Sequence, residues 1–447
     1  MSECIYDLEF KCKEQLDNLS ESASFIMSLG AKELYHSNFL AFLIESDAEI
    51  PINVQNNLKI LFGLDSDKKV YIWREKNNFD LVLIQADIEN ENAWRKCTPK
   101  IVIIENKLKS IPSLKQLKDY DDKLSRKIEF PIEFSLEWGN GDDVDKIQLK
   151  EKSVALYVYR HGQSRRETVG ESKKISVEKI LISTEEFNDK KDWGNITWKT
   201  IRDKIGKGLE EQNKKTLIPK LIEDYVYALS NILGMVDKIS DFHHCFVENK
   251  SKELTCNDFY EQTKSQRFRH LRIHDLVGKI AFNKLEKTLL VKLENADISG
   301  KKNNHFILNS YTFYSRQQPG IGFEWLWSNG KTKKEEKRFS IGVQIQGNTL
   351  AHFVEFYPSY DGAENFANTM REWLYPERDE FKGNIRNTDH LLKFNNKKFL
   401  YTKISIENFS FDELSSRVET SLGDGFLILT NNKSDFLGEV RGWLNPR

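Results

Sequence analysis

Cysteine is scarce in this chain and shows no pattern. Among 447 residues there are five (Cys4, Cys12, Cys97, Cys245 and Cys256), an odd number without a C-x-x-C spacing. That argues against a disulfide framework and against a structural zinc site. An excess of either charge is also missing: 67 basic residues face 68 acidic ones, for a formal net charge of -1. Such a protein is not a general polyanion binder, and any nucleic-acid surface on it must be local. No apolar run approaches the length of a membrane span. The opening Met1-Ser2-Glu3-Cys4-Ile5-Tyr6-Asp7 lacks the basic and apolar regions of a secretory signal. A cytoplasmic location and no membrane contact are therefore expected. There is no internal repeat, no low-complexity tract and no P-loop, which excludes an ATP-driven motor from the expected functions.

What is present suffices for packed cores, with 39% hydrophobic and 12% aromatic residues. The length points to two domains, set here at residues 1–245 and 246–447. The first is organised around two runs, Asn78-Phe79-Asp80-Leu81-Val82-Leu83-Ile84 and Lys100-Ile101-Val102-Ile103-Ile104-Glu105-Asn106-Lys107. Both read as buried strands. Asp80, Glu105 and Lys107 are charged groups where such strands should carry none, so they need partners or a metal. Alternation puts Glu105 and Lys107 on one face and turns Asn106 to the other. Antiparallel pairing would bring Asp80 beside Glu105 at one end of a sheet.

Two adjacent carboxylates repel, and a hard divalent cation relieves the repulsion. Magnesium prefers oxygen ligands, commonly one or two carboxylates with water completing the shell. A bound cation acidifies its water and neutralises charge on a phosphoryl oxygen. A lysine two residues along can orient that water or offset phosphate charge, which suits phosphodiester hydrolysis. An ordinary Asp–Lys or Glu–Lys ion pair at a sheet rim would carry the same pattern, and such pairs contribute little.

At these residues the chain resembles the PD-(D/E)XK nuclease superfamily. Upstream, Glu33-Leu34-Tyr35-His36-Ser37 opening an apolar helix resembles the first helix of bacterial members. Downstream, Gln116-Leu117-Lys118-Asp119-Tyr120 resembles the Gln-x-x-x-Tyr helix of the RecB-like branch. The ordered set spans roughly residues 30 to 125 and departs from the pattern in having Phe79, not proline, before Asp80. The resemblance implies a metal-dependent nuclease acting on DNA, with RNA left open, plausible in bacterial anti-phage or restriction-type defence. It makes Asp80, Glu105 and the Asn106 carbonyl metal ligands, with Glu33 reaching the metal directly or through water. Lys107 becomes the catalytic lysine, and Gln116 and Tyr120 steady the lysine, the water or the substrate. The implied cofactor is Mg2+, with Mn2+ able to substitute. The alternative is a catalytically inactive nuclease-fold module that binds nucleic acid or a protein partner. A homodimer or partner subunit is open on either reading.

The expected fold is α/β: a mixed central sheet flanked by helices, restriction-endonuclease-like, followed by an α+β domain with an antiparallel meander. Helices are expected over 32–46, Val54–Phe62, Leu114–Ser125, Trp198–Leu209 and Leu217–Asp237, and strands at Val70–Arg74, Val154–Tyr159 and Lys179–Ser183. Phe259–Leu293 reads as one helix with a basic start, Lys264 to Arg272. Strands follow at His305–Ser315, Gly322–Trp327, Phe339–Gln346, Ala351–Phe356 and Phe399–Ser405, with helices at Ala363–Trp373 and Phe411–Leu422. Gln317-Gln318-Pro319-Gly320 reads as a breaker. Phe323, Trp325 and Trp327 alternate onto one face, which reads as buried.

Overall fold

The computed structural model describes residues 7–31, 33–45, 50–74, 79–85, 100–108, 117, 120–121, 128–132, 145–150, 153–160, 163–165, 177–185, 193–210, 217–248, 254–298, 306–315, 318–328, 337–357, 392–394, 399–430, 438 and 440. It divides into two compact units. One is Lys13–Val236; the other joins Met1–Cys12 to Asp237–Arg447. The division falls inside the helix Leu217–Val247, ahead of the boundary set from sequence. Among the described residues no helix is long and apolar enough to cross a membrane.

The Lys13–Val236 unit is built on a five-stranded mixed sheet. Strand β1 (Val70–Arg74) pairs antiparallel with β2 (Leu81–Gln85), and β2 pairs antiparallel with β3 (Lys100–Lys107). Strands β4 (Ile128–Ile132), β5 (Asp145–Lys150), β6 (Ser153–Arg160) and β7 (Gln163–Arg165) form a separate antiparallel sheet in chain order. The Val154–Tyr159 run is thus a strand, but it lies outside the central sheet. The chain returns in β8 (Val177–Ser183), which lies parallel to β3, and β9 (Gly194–Thr197) lies parallel to β8. β2 is buried along its whole length and β3 along all but its first residue. That is the burial expected of continuous aliphatic runs in the middle of a covered sheet.

Helices Glu33–Ile44, Ile52–Leu61 and Trp198–Glu210 belong to the same unit. Trp198, Ile201, Ile205 and Leu209 recur at helical spacing and are all buried. Gly208 lets this helix close on Ile52–Leu61, because an added Cβ would stand 2.7 Å from the Val54 backbone. Gly63, at φ +72, follows the Ile52–Leu61 helix in the left-handed conformation that glycine adopts without strain. Of the expected Leu114–Ser125 helix, Leu117, Tyr120 and Asp121 are described, and all three are helical.

The second unit carries a six-stranded antiparallel sheet. Its strands are β10 (Ile307–Ser315), β11 (Gln318–Ser328), β12 (Arg338–Gln346), β13 (Thr349–Tyr357), β14 (Leu392–Phe394) and β15 (Phe399–Ser405), in the order β10-β11-β12-β13-β15-β14. Phe323, Trp325 and Trp327 are buried, and the Trp325 indole donates to the Leu422 carbonyl of the helix Phe411–Thr430 at 2.9 Å. Gln318, Pro319 and Gly320 are part of β11, not a break in it. Pro319 precedes the first β12 pair, Gly320↔Gln346, so its missing N–H removes no ladder bond on that side. Phe313 and Tyr311 lie over Gly320 and Gly322, where a Cβ would collide with their rings.

The expected Phe259–Leu293 helix is three helices, Cys256–Gln262, Gln266–His270 and His274–Asn295. Side-chain caps open the first two pieces. Thr255 and Asp258 form a capping box, Ser265 caps the second helix, and Arg272 turns the chain at φ +52. The helix Leu8–Lys11 joins this unit, with the Leu8 N–H donating to Gln262 Oε1 at 3.0 Å. Cys12 and Cys256 are buried free thiols. The expected helix Ala363–Trp373 lies outside the described residues.

Candidate active site at the end of β3

The register Leu81↔Ile104 sets Asp80, just before β2, beside Glu105 near the end of β3. Alternation along β3 then separates the side chains as expected. Glu105 and Lys107 share a face, and Lys107 Nζ lies 2.6 Å from Glu105 Oε1. This is no rim pair: the two side chains are 8% and 1% exposed. Tyr120 donates its hydroxyl to the same Glu105 oxygen at 3.1 Å. Asp80 takes the backbone N–H of Asn106 on its Oδ2 at 2.7 Å.

The electrostatics of Glu105 are unusual. Its carboxyl is pushed up from 4.5 to about 7. Burial is the main cause; the Lys107 ammonium opposes it, and the Asp80 charge adds to it. The hydrogen bonds from Lys107 and Tyr120 pull the other way but do not win. An acid touching an ammonium normally titrates low, so this pair is poorly compensated for its desolvation.

On the opposite face of β3 the Asn106 side chain is fully buried. Its Nδ2 donates to Ser37 Oγ at 3.0 Å, and its Oδ1 accepts from Trp198 Nε1 at 3.1 Å. His36, next to Ser37, packs edge-on to Trp198 and shares a hydrogen bond of 3.0 Å with the Tyr225 hydroxyl. Tyr225 is buried and its hydroxyl is held well above its usual range by that burial. Tyr120 is set by ring contacts with Phe79 and Trp193, and its neighbour Asp121 by an ion pair with Lys179 of β8 at 2.7 Å.

Of the residues singled out from sequence, Asp80, Glu105, Asn106, Lys107 and Tyr120 are brought together. Glu33 begins the helix Glu33–Ile44, but its side chain and all of Gln116 lie outside the described residues. Sequence reasoning missed the roles of Trp198, Tyr225 and Lys179. For Trp198 there was a usable signal: an asparagine inside a buried strand must find both a donor and an acceptor.

Among the described residues, no group of three or more His, Cys, Asp or Glu side chains could hold a metal ion. The donors that the sequence resemblance names are two carboxylates and a backbone carbonyl, all oxygen. That set fits magnesium, which takes one or two carboxylates and keeps several waters, and it does not fit a closed structural zinc site. Comparison of the chain with protein-family models, curated proteins and solved structures finds no match.

Proposed function

We propose that the Lys13–Val236 unit is a magnesium-dependent deoxyribonuclease of the PD-(D/E)XK superfamily, with manganese able to replace magnesium. One observation carries the reading. Glu105 stays near neutral pKa although an ammonium lies 2.6 Å away, because burial and Asp80 outweigh it. A buried ion pair of this kind is weak evidence for stability, and perturbed acids of this kind gather at functional sites. The sheet supports the same reading: an antiparallel β1-β2-β3 meander with β8 added parallel to β3 is the mixed core that the sequence resemblance implies.

Asp80, Glu105 and the Asn106 carbonyl would hold the cation, with Glu33 a further ligand from its helix. When bound, the cation supplies an acidified water and neutralises charge on the phosphoryl oxygens. The chain's own groups do the rest. Lys107 stands beside Glu105, placed to orient the attacking water or offset phosphate charge. Tyr120 fixes the Glu105 oxygen and favours its ionised form. The Asn106 N–H holds Asp80. The expected reaction is in-line attack of water on a phosphodiester, leaving a 5′-phosphate. The second unit would then serve recognition or regulation, and defence against foreign DNA is the biological setting proposed by analogy.

The test is incubation of plasmid, linear and single-stranded DNA, with an RNA arm, in magnesium or manganese. Asp80→Ala and Lys107→Ala should each lower cleavage by about a hundredfold or more. Cleavage undiminished in both variants ends the reading. The direct Lys107–Glu105 contact favours a second reading, a binding module without catalysis. Calorimetry with manganese separates the two, since that module would take up no cation.

A further inference from the structure

We infer that Ser37 and Trp198, which clamp the Asn106 side chain, are positioning residues that set cation affinity at the site; the inference rests on the function proposed above. The geometry is particular. Asn106 stands between the acid and the amine, yet its side chain faces away from both. Its amide has one donor end and one acceptor end in use, to Ser37 Oγ at 3.0 Å and from Trp198 Nε1 at 3.1 Å. Asn106, Ser37 and Trp198 are all buried. Its backbone N–H meanwhile holds Asp80 Oδ2 at 2.7 Å.

One residue thus fastens two helices, Glu33–Ile44 and Trp198–Glu210, to the strand end where Glu105 and Lys107 emerge. The same residue fixes Asp80 relative to Glu105. Nothing in the burial of β3 requires this. A leucine at 106 would satisfy packing without needing two polar partners, whereas asparagine demands both. The clamp holds the Asn106 Cα, where two peptide planes meet: the preceding one carries the N–H on Asp80 and the following one the carbonyl proposed as a ligand. His36 supports the clamp from behind by its edge contact with the Trp198 ring at 5.8 Å.

The conservative probes are Ser37→Ala and Trp198→Phe, each of which removes one hydrogen bond and keeps most of the shape. Manganese binding to the full chain is measured by calorimetry, with thermal unfolding of each protein in parallel. Each variant should bind manganese about tenfold more weakly, as loss of outer partners of metal ligands commonly does. Ser37→Thr, which keeps the hydroxyl, should restore affinity. Loss of thermal stability with unchanged manganese affinity in both Ala and Phe variants would show a purely structural clamp and overturn the inference. If Ser37→Ala does not fold, Trp198→Phe and Ser37→Thr decide: unchanged affinity in the former overturns it, and weakened affinity in the former with retention in the latter supports it. A wild-type chain that takes up no manganese overturns the proposed function together with the inference. Wild-type uptake with indifferent variants overturns the inference alone.

Discussion

Raising the pH should loosen the Lys13–Val236 unit through a single side chain. The Glu105 carboxyl titrates at about 7 in the fold against 4.5 for its ordinary value. Its folded pKa is raised, so its contribution to stability is fully present below 4.5 and is lost as pH rises through about 7. Between those limits the folded state holds a proton that the unfolded chain has already released, and stability falls with pH. Linkage between about pH 5 and about pH 8 gives a loss of roughly 2–3 kcal/mol from this group alone. The assay is urea unfolding at both pH values for the wild type and for Glu105→Gln, which cannot titrate. The difference of the two pH effects cancels every other group that titrates alike in both proteins. Wild type should lose about 2 kcal/mol or more relative to the variant on going to the higher pH. Equal pH dependence in the two proteins, or a wild type that gains stability as pH rises, would refute the reasoning.

Three further outcomes are expected. Tyr120→Phe removes the hydroxyl that favours the ionised form of Glu105, so the acid limb of any magnesium-dependent cleavage should move up by about one pH unit; an unmoved profile counts against the role given to Tyr120. Gly342→Ala would drive a Cβ into the Phe323 carbonyl and the Glu324 backbone, destabilising the six-stranded sheet by about 1–3 kcal/mol or more, read as a lower melting temperature. Thr255→Ala breaks the capping box with Asp258 and should cost about 1 kcal/mol, visible as earlier unfolding of the second unit in denaturant.

What could be read from sequence was mostly local. The aliphatic runs at 81–84 and 101–104 declare buried strands, and the charges flanking them declare a cluster, because burial and alternation act over neighbouring residues. The antiparallel approach of Asp80 to Glu105 follows once the two runs are paired. Sheet membership does not follow in this way. The run 154–159 has the texture of a strand, yet its partners are β5 and β7, and only tertiary pairing shows that β8 is the neighbour of β3. The basic stretch from Lys264 to Arg272 has helical composition, but Ser265 and the left-handed Arg272 cut it to a five-residue helix. The Asn106 clamp was hidden for a similar reason. Its partners lie 69 and 92 positions away, and no spacing rule links them.

The bond from Leu8 to Gln262 bridges 254 positions of chain. Translation at about 5–20 residues per second separates the two ends by roughly 13–50 s. The short opening helix must therefore idle, its docking partner unmade, while all of Lys13–Val236 leaves the ribosome. The part bearing Glu105 has time to finish folding in that interval, before the other half can close its own ends.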